Sequence, residues 1–344
     1  MKIIIDAMGG DHAPDQIVLG ALQSAKNYGV EIVLVGRGED ILAAMKAHGV
    51  DTLPDGVEIA NAEDVVDMHA DPTKVVQQHR NSSMVVGLKM LAEDGGDAFI
   101  SAGNSGALLT GATLVTKRIR GIRRAAFAPI LPMGGGSILV DAGANSECTP
   151  ELLLQFGCMG SFYAEKALKR DKPRVALLNN GAEEGKGDTL HQESYALLKQ
   201  AGEKGIINFI GNIEGRDVPD GGADVVVADG FSGNVLLKTI EGTAIYMSKL
   251  IKKMFLKNLG TKIGYLFARK GVADLKKSMD YREVGGSIVI GITKPVIKAH
   301  GSSDAVAVCG AVRQAINAVE SGFCDAIRDN VGAMILPREA GNAE

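Results

Sequence analysis

The chain has 344 residues, and its hydrophobic fraction of 46% is enough to bury one large core or two moderate ones, which excludes a disordered or fibrous protein. It lacks Trp, its aromatic fraction is 4% and its net charge is −4. Single-stranded nucleic-acid binders need stacking rings and a basic surface, so nucleic acid is not expected as a partner.

Short apolar runs and helical stretches alternate along the chain. Strands are predicted at the apolar runs, most of which end in Gly, Asp or Asn: 3–5, 32–35, 98–100, 138–140, 175–178 and 225–227. Helices are predicted over 16–28, 105–116, 150–168 and 190–204. The strand segments do not alternate polar with apolar residues, which is typical of strands buried on both faces. The sequence predicts one α/β unit over residues 1–344, a mostly parallel sheet with helices on both faces, long enough for two lobes with a site between them.

The segment 246–280 departs from this pattern. Between Tyr246 and Lys277, nine Lys and Arg residues stand against one acid, Asp274. Apolar residues recur there at helical spacing on both sides of Gly260. We therefore predict a protruding, amphipathic and basic helical hairpin. Its tip carries Leu259, Ile263, Leu266 and Phe267.

Several catalytic and anchoring signatures are missing from the sequence. It has no G-x-G-x-x-G after a strand, no H-E-x-x-H and no G-x-S-x-G. This disfavours dinucleotide oxidoreductases, zinc hydrolases and α/β-hydrolases. The 4 cysteines lack zinc-ligand spacing, so neither a metal nor a cofactor is expected. No segment has the ~18 to 20 apolar residues of a spanning helix, and the N-terminus begins a strand at once, which predicts a cytoplasmic protein.

Three Gly-rich turns indicate anion binding. They are Gly9-Gly10, the helix start at Gly103–Gly106, and Gly301-Ser302-Ser303, which opens another helix. Exposed backbone N–H groups and helix N-termini attract phosphate-sized anions. Each turn alone is also typical of an ordinary strand-to-helix connection. Together with Lys186 and Asn234 in further Gly-rich loops, they predict a site that handles phosphate with backbone donors.

Seven polar, Gly-rich motifs make the chain similar to a known family nearly end to end. They are Asp6–Asp11, Ser101–Leu108, Asp141–Asn145, Glu183–Gly187, Asp229–Asn234, Met279–Glu283 and His300–Ser303. In this order they resemble the phosphate acyltransferase family, acyl-[acyl-carrier-protein]:phosphate acyltransferase. The resemblance implies a homodimer with a fold related to the isocitrate and isopropylmalate dehydrogenases. It also implies reversible transfer of a long fatty acyl group from acyl carrier protein to orthophosphate. The acyl phosphate would serve a membrane acyltransferase in phospholipid synthesis.

A mechanism without a covalent enzyme intermediate suits this chemistry, because phosphate is already an anionic nucleophile and a thiolate is a tolerable leaving group. We hypothesise that Lys186 anchors phosphate, Asn234 donates to the carbonyl oxygen and His300 carries a proton, although a lone His is more often structural. The strand-end residues Asp6, Asp11 and Asp141 either contact substrate or hold loops through backbone N–H groups. The other candidates for phosphate or substrate contact are Gly9, Gly10, Asp11, Ser101, Gly103, Asn104, Ser105, Gly106, Asp141, Asn145, Ser232, Gly233, Gly301 and Ser302.

Alternatives remain open for both the activity and the hairpin. A short-chain acyl-CoA phosphotransacylase is chemically close, a decarboxylating dehydrogenase is a rival of related fold, and a non-catalytic scaffold for acyl carrier protein at the membrane is a third possibility. The hairpin is a plain solvated helix pair, a docking surface for the acidic carrier protein, or a peripheral membrane anchor. The basic stretch 117–124 is another carrier-protein platform. We favour the membrane for the tip, which places the protein at the inner face of the membrane.

Overall fold

The computed structural model describes residues 1–133, 135–278 and 285–336, without the side chains of 276–278. Two sequence features therefore lie outside the described residues. They are the last positions of the predicted hairpin, 279 and 280, and the family motif Met279–Glu283.

The larger sheet has seven strands, in the order β3-β2-β1-β4-β11-β10-β5. They are β1 (Lys2–Asp6), β2 (Glu31–Gly36), β3 (Val57–Asn61), β4 (Ala98–Ser101), β5 (Ala126–Pro129), β10 (Gly286–Ile290) and β11 (Val296–Ala299). β10 runs antiparallel to both neighbours, and every other adjacent pair is parallel. The carboxyl ends of β1, β4 and β11 therefore meet at one edge, which is where ligands bind in such sheets.

The smaller sheet has four parallel strands, in the order β6-β9-β7-β8. They are β6 (Ile138–Val140), β7 (Arg174–Asn179), β8 (Asn208–Glu214) and β9 (Val225–Val227). An isolated bridge between Ile130 and Ile138 connects the two sheets. β6 and β9 are fully buried, because helices cover them. This burial explains why their sequences are continuous apolar runs.

Helices cover both sheets. They are α1 (Asp15–Tyr28), α2 (Gly38–Ala47), α3 (Val75–Gln78), α4 (Ser83–Ala92), α5 (Ser105–Gly111), α6 (Pro150–Lys166), α7 (Thr189–Glu203), α8 (Gly230–Phe255), α9 (Leu259–Ser278), α10 (Ala305–Glu320) and α11 (Phe323–Asp329). A π-helical turn, Ala112–Lys117, extends α5. α1 and α10 pack closely because Gly20 faces Val308, where an added Cβ would lie 2.5 Å from the Val308 Cβ.

The predicted class, a mostly parallel α/β fold, is confirmed, and each predicted strand and helix is present within a few residues of its predicted bounds. The division into two sheets was not predicted, nor were β3, β5, β8, β10 and β11. β8 has no fully apolar run, since exposed and half-buried residues share it. β10 begins with the half-buried Gly286 and Ser287, residue types that are typical of loops, so its start gave no strand pattern.

The predicted hairpin segment contains the second half of α8 and all of α9. The two helices are joined by Leu256–Asn258, where the Thr261 N–H donates to Asn258 Oδ1 at 2.9 Å and the Asn258 N–H donates to Thr261 Oγ1 at 3.0 Å. Apolar side chains in the first half of α9 are exposed, Leu259 to 75% and Phe267 to 88%. Among the described residues, no helix is both long and apolar enough to span a bilayer.

Candidate functional site

A cavity of about 500 Å³ opens between the two sheets. This volume lies in the usual range for small-molecule sites. The larger sheet contributes β5, β10, β11 and the turns after β1 and β4, whereas the smaller sheet contributes the loop after β6 and the first turns of α8. Its polar residues are Asp11, Ser105, Asn234, Lys238, Glu241, Ser287, Lys298, His300 and Ser302. Its apolar residues are Met68, Phe127, Pro129, Ile130, Pro132 and Leu237.

The start of α8 fixes the position of Asn234. Asp229 caps the helix and accepts from the N–H groups of Phe231 and Ser232, each at 2.9 Å. Gly233 faces the Asp141 carbonyl oxygen so closely that an added Cβ would overlap it. Only glycine allows this approach, and the next residue, Asn234, is thereby held at the cavity. Gly233 and the half-buried Ser232 support the wall and do not line it.

Asp141 organises the loop after β6. Its buried carboxylate accepts from the N–H of Phe127 at 3.1 Å, from the N–H of Gly143 at 3.2 Å and from the N–H of Asn145 at 2.6 Å. Burial raises the pKa of Asp141, while these hydrogen bonds act in the opposite direction. The Asn145 side chain also donates to Asp141 and to the Ala125 carbonyl. These hydrogen bonds hold the loop after β6 in place.

Asp6 and Ser101 hold turns in place at the larger sheet. The Ser101 hydroxyl donates to Asp6 Oδ2 at 2.6 Å, and the Met8 N–H donates to Asp6 Oδ1 at 3.2 Å. The Gly103 N–H in turn donates to Ser101 Oγ at 3.1 Å. Burial raises the pKa of Asp6, against the effect of its hydrogen bonds. These groups fix the turns after β1 and β4 from behind the cavity.

Part of the predicted backbone anion cradle makes internal hydrogen bonds and close packing contacts. The Asp11 N–H donates to the Gly301 carbonyl at 2.8 Å, so the turns after β1 and β11 pack together. Gly9, Gly10 and Gly106 lie against neighbouring groups, and an added Cβ would come within 3.0 Å of Gly103, Ala102 or Pro72 respectively. Asn104 caps α5 and donates to the Met68 carbonyl at 2.8 Å. The charged groups at the polar end of the cavity are side chains.

His300 lies at this polar end with a defined orientation. Its Nδ1 accepts from the Ser302 N–H at 3.3 Å and lies 2.9 Å from Ser302 Oγ. Burial lowers the pKa of His300; Lys238 and Lys298 act in the same direction, and Glu241 and Asp11 oppose them. The lowered pKa favours the neutral ring, and because Nδ1 accepts from the Ser302 N–H, Nδ1 is the nitrogen that can take up a proton.

The structure brings some predicted residues together and leaves others apart. Asn234, His300, Asp11, Ser105, Gly301 and Ser302 line the cavity. Lys186 does not belong to this wall: it lies in the loop after β7, half exposed, with its Nζ 3.8 Å from Glu183 Oε2. Because β7 is parallel to β6 and β9, that loop still lies at the same edge of the smaller sheet.

The sequence analysis missed three charged residues of the cavity, Lys238, Glu241 and Lys298. Lys238 and Glu241 form an ion pair at 2.7 Å on α8, one turn beyond Asn234. Lys298 is half-buried in β11. The sequence position of Lys298 could have identified it, because it precedes His300 by two residues in an otherwise apolar segment. Residues two apart along a strand project to the same face.

Solved structures define the class of fold. A phosphotransacetylase from Streptococcus pyogenes superimposes with a TM-score of 0.60 at 17% identity, covering 93% of this chain and 94% of that one. A putative 4-hydroxythreonine-4-phosphate dehydrogenase from Salmonella typhimurium gives a TM-score of 0.54 at 14% identity, covering 92% and 99%. At these identities the likeness defines the fold alone. It confirms the predicted α/β fold and its relation to a dehydrogenase architecture.

Sequence relatives define the family. A family model described as "Fatty acid synthesis protein" matches residues 1–326. The chain is 47% identical over 335 residues to a phosphate acyltransferase of Alkaliphilus oremlandii, covering 97% of this chain and 98% of the relative. It is 44% identical over 336 residues to a phosphate acyltransferase of Thermoanaerobacter pseudethanolicus, with the same coverage. This chain belongs to the phosphate acyltransferase family, as the resemblance implied.

Proposed function

We propose that this protein transfers a long-chain fatty acyl group reversibly from acyl carrier protein to orthophosphate. The product is an acyl phosphate, which a membrane acyltransferase consumes in phospholipid synthesis. Family membership supports acyl transfer to phosphate. The structural observation that carries the proposal is the cavity between the sheets, which joins an apolar wall to a polar end with Asn234 and His300.

The cavity residues fit a direct transfer. A phosphate oxygen attacks the thioester carbonyl carbon, the carbon–sulfur bond breaks, and the carrier-protein thiolate leaves and takes up a proton. The Asn234 amide is placed to donate to the carbonyl oxygen as negative charge develops there. Neutral His300 accepts a proton from monobasic phosphate and returns it to the leaving thiolate. This exchange balances protons without a covalent enzyme intermediate.

Lys186 is proposed as a mobile cation for the bound phosphate. Its loop lies at the same edge of the smaller sheet as Asn234. The exposed ion pair with Glu183 holds it weakly, since such pairs contribute about 0–1 kcal/mol. Moving its flexible side chain towards the cavity therefore costs little.

Acyl carrier protein is proposed to dock on an exposed basic face of the larger sheet. In the stretch 117–124, Lys117, Arg118, Arg120, Arg123 and Arg124 are all exposed. Charge complementarity with an acidic partner increases the association rate and orients the encounter. The lysines of α8 beyond the cavity, including Lys249, Lys252 and Lys253, are a second exposed basic face.

The function is tested by incubating the purified protein with palmitoyl-acyl carrier protein, with and without orthophosphate. We expect phosphate-dependent release of the carrier-protein thiol together with acyl phosphate. Acetyl-CoA and palmitoyl-CoA serve as comparison donors. Preference for acetyl-CoA would favour a short-chain phosphotransacylase, and absence of thiol release with bound carrier protein would favour the scaffold.

The turn between α8 and α9 is proposed to attach the protein peripherally to the inner face of the membrane. Leu259, Ile263, Leu266 and Phe267 are exposed in the first half of α9, which follows this turn, and Lys257 and Lys262 are exposed nearby in sequence. Apolar side chains enter the lipid interface, and each nearby lysine contributes about 1 kcal/mol with anionic headgroups.

Liposome flotation tests this attachment. The double variant Leu266→Glu, Phe267→Glu is expected to lose most of its binding to anionic vesicles, because it places two carboxylates at the interface. Leu42→Glu, Leu53→Glu adds the same charge at exposed leucines elsewhere and should float like the wild type. Equal flotation of the wild type and the tip variant would contradict the proposal.

A homodimer is proposed from the family resemblance. Ile245, Tyr246, Leu250 and Met254 are exposed on the second half of α8. A second copy of this chain would remove these apolar side chains from water, which favours association.

A further inference from the structure

Lys298 stands out among the residues that line the cavity. It lies in β11, which is flanked by β4 and β10 inside the larger sheet. Its register partners are Ser101 on β4 and Ser287 on β10. A lysine in an interior strand is unusual, because burying an ammonium group is costly unless it is compensated. The position therefore calls for a functional explanation.

The local contacts direct the Lys298 ammonium to the cavity rim. Its Nζ donates to the carbonyl oxygen of Ala102 at 3.3 Å and to that of Ala299. Both acceptors are neutral: Ala102 follows β4, and Ala299 ends β11 directly before His300 and Gly301. An ammonium carries three donor hydrogens, so two carbonyl groups do not exhaust it. Lys298 is thus held at the polar end beside His300.

Nearby charges leave a place for an anion. Burial lowers the pKa of Lys298 to about 8, with Lys238 acting in the same direction, whereas Asp6 and Asp11 oppose the shift. Asp6 already accepts hydrogen bonds from Ser101 and Met8. A bound phosphate anion would stabilise the charged ammonium that burial disfavours. Lys238, by contrast, is already ion-paired with Glu241.

We propose that Lys298 binds the acceptor phosphate directly and holds it next to His300 in the cavity between the sheets. This assignment rests on the proposed function, in which phosphate is the acyl acceptor. Backbone N–H groups carry no net charge, so a side-chain cation in the cavity wall provides the charge complement to phosphate. Lys298 is that cation on the rigid sheet, and Lys186 reaches the site from a loop.

The assignment is tested with Lys298→Met, which keeps the length of the side chain and removes its charge. Lys294→Met is the matched control: Lys294 precedes the same strand at the opposite edge, where its Nζ contacts Asp94. Addition of inorganic phosphate should raise the Tm of the wild type and of Lys294→Met but not that of Lys298→Met. In turnover assays, Lys298→Met should raise the KM for phosphate roughly tenfold to a hundredfold, with the KM for palmitoyl-acyl carrier protein within about twofold of the wild type.

A labelling experiment on the wild type covers the case in which Lys298→Met does not fold. Acetic anhydride modifies neutral amines, and peptide mass spectrometry gives the rate at each lysine. Phosphate should protect Lys298 and leave the rate at Lys294 unchanged. Equal labelling of Lys298 with and without phosphate, or the same phosphate-induced Tm rise in Lys298→Met as in the wild type, would overturn the assignment. Absence of acyl transfer by a wild type that still binds phosphate through Lys298 would overturn the proposed function alone.

Discussion

Replacing Asn234 by Ala is expected to lower kcat about 10²- to 10³-fold, the usual effect of removing one donor to a developing oxyanion. The side chain lines the cavity at the start of α8, where Asp229 and Gly233 fix the helix. Because the carbonyl oxygen gains charge only in the transition state, the KM values for phosphate and for the acyl donor should change little. Steady-state kinetics with both substrates varied give the measurement.

A second variant on the same helix separates this effect from damage to α8. Thr239→Val removes an exposed hydroxyl that donates to the Val235 carbonyl within the helix at 2.8 Å. Wild-type kcat is expected for it. If Asn234→Ala instead kept the wild-type kcat and raised a KM, Asn234 would be a ground-state binding residue and the oxyanion role would be wrong.

The interior strands were predictable because their apolar composition reflects their burial. Ile3, Ile4 and Ile5 of β1 are at most 1% exposed, and Val225 to Val227 of β9 are fully buried. Continuous apolar runs of this kind indicate strands covered on both faces. β8 escaped prediction because exposed and half-buried residues interrupt any apolar run, and β5 because it is short and ends in a proline.

The glycine-rich turns of the candidate site could be predicted from the sequence, because their backbone geometry requires glycine. The charged side chains of the cavity were harder to predict. The motifs around Gly9, Gly103 and Gly301 lie at the edge of the larger sheet that borders the cavity. The Asp11 N–H donates to the Gly301 carbonyl, a contact that a sequence cannot show because these two turns are distant along the chain. Lys298 was missed for the same reason: in the sequence it is one lysine among many, and only the sheet places it beside His300.

The glycine at the start of α8 gives a further prediction, with a matched control on the same helix. Gly233→Ala is expected to lower the free energy of unfolding by about 1–3 kcal/mol, because the new methyl overlaps the Asp141 carbonyl oxygen and α8 must move. Gly242→Ala adds the same methyl where no atom lies within 4 Å. It should be neutral or stabilise the protein by up to about 1 kcal/mol through helix propensity. Denaturant unfolding measures both.

The displacement of α8 in Gly233→Ala should also lower the catalytic rate. Asn234 directly follows Gly233, and a shift of about 1 Å in a positioned group can reduce the rate about 10²-fold. Gly233→Ala should therefore lose activity at temperatures where it remains folded, while Gly242→Ala keeps the wild-type kcat. A Gly233→Ala enzyme that is destabilised yet fully active would show that the contact with Asp141 serves stability alone. Full stability and full activity together would mean that the Asp141 loop yields to the methyl, so that the close packing of α8 does not set the position of Asn234.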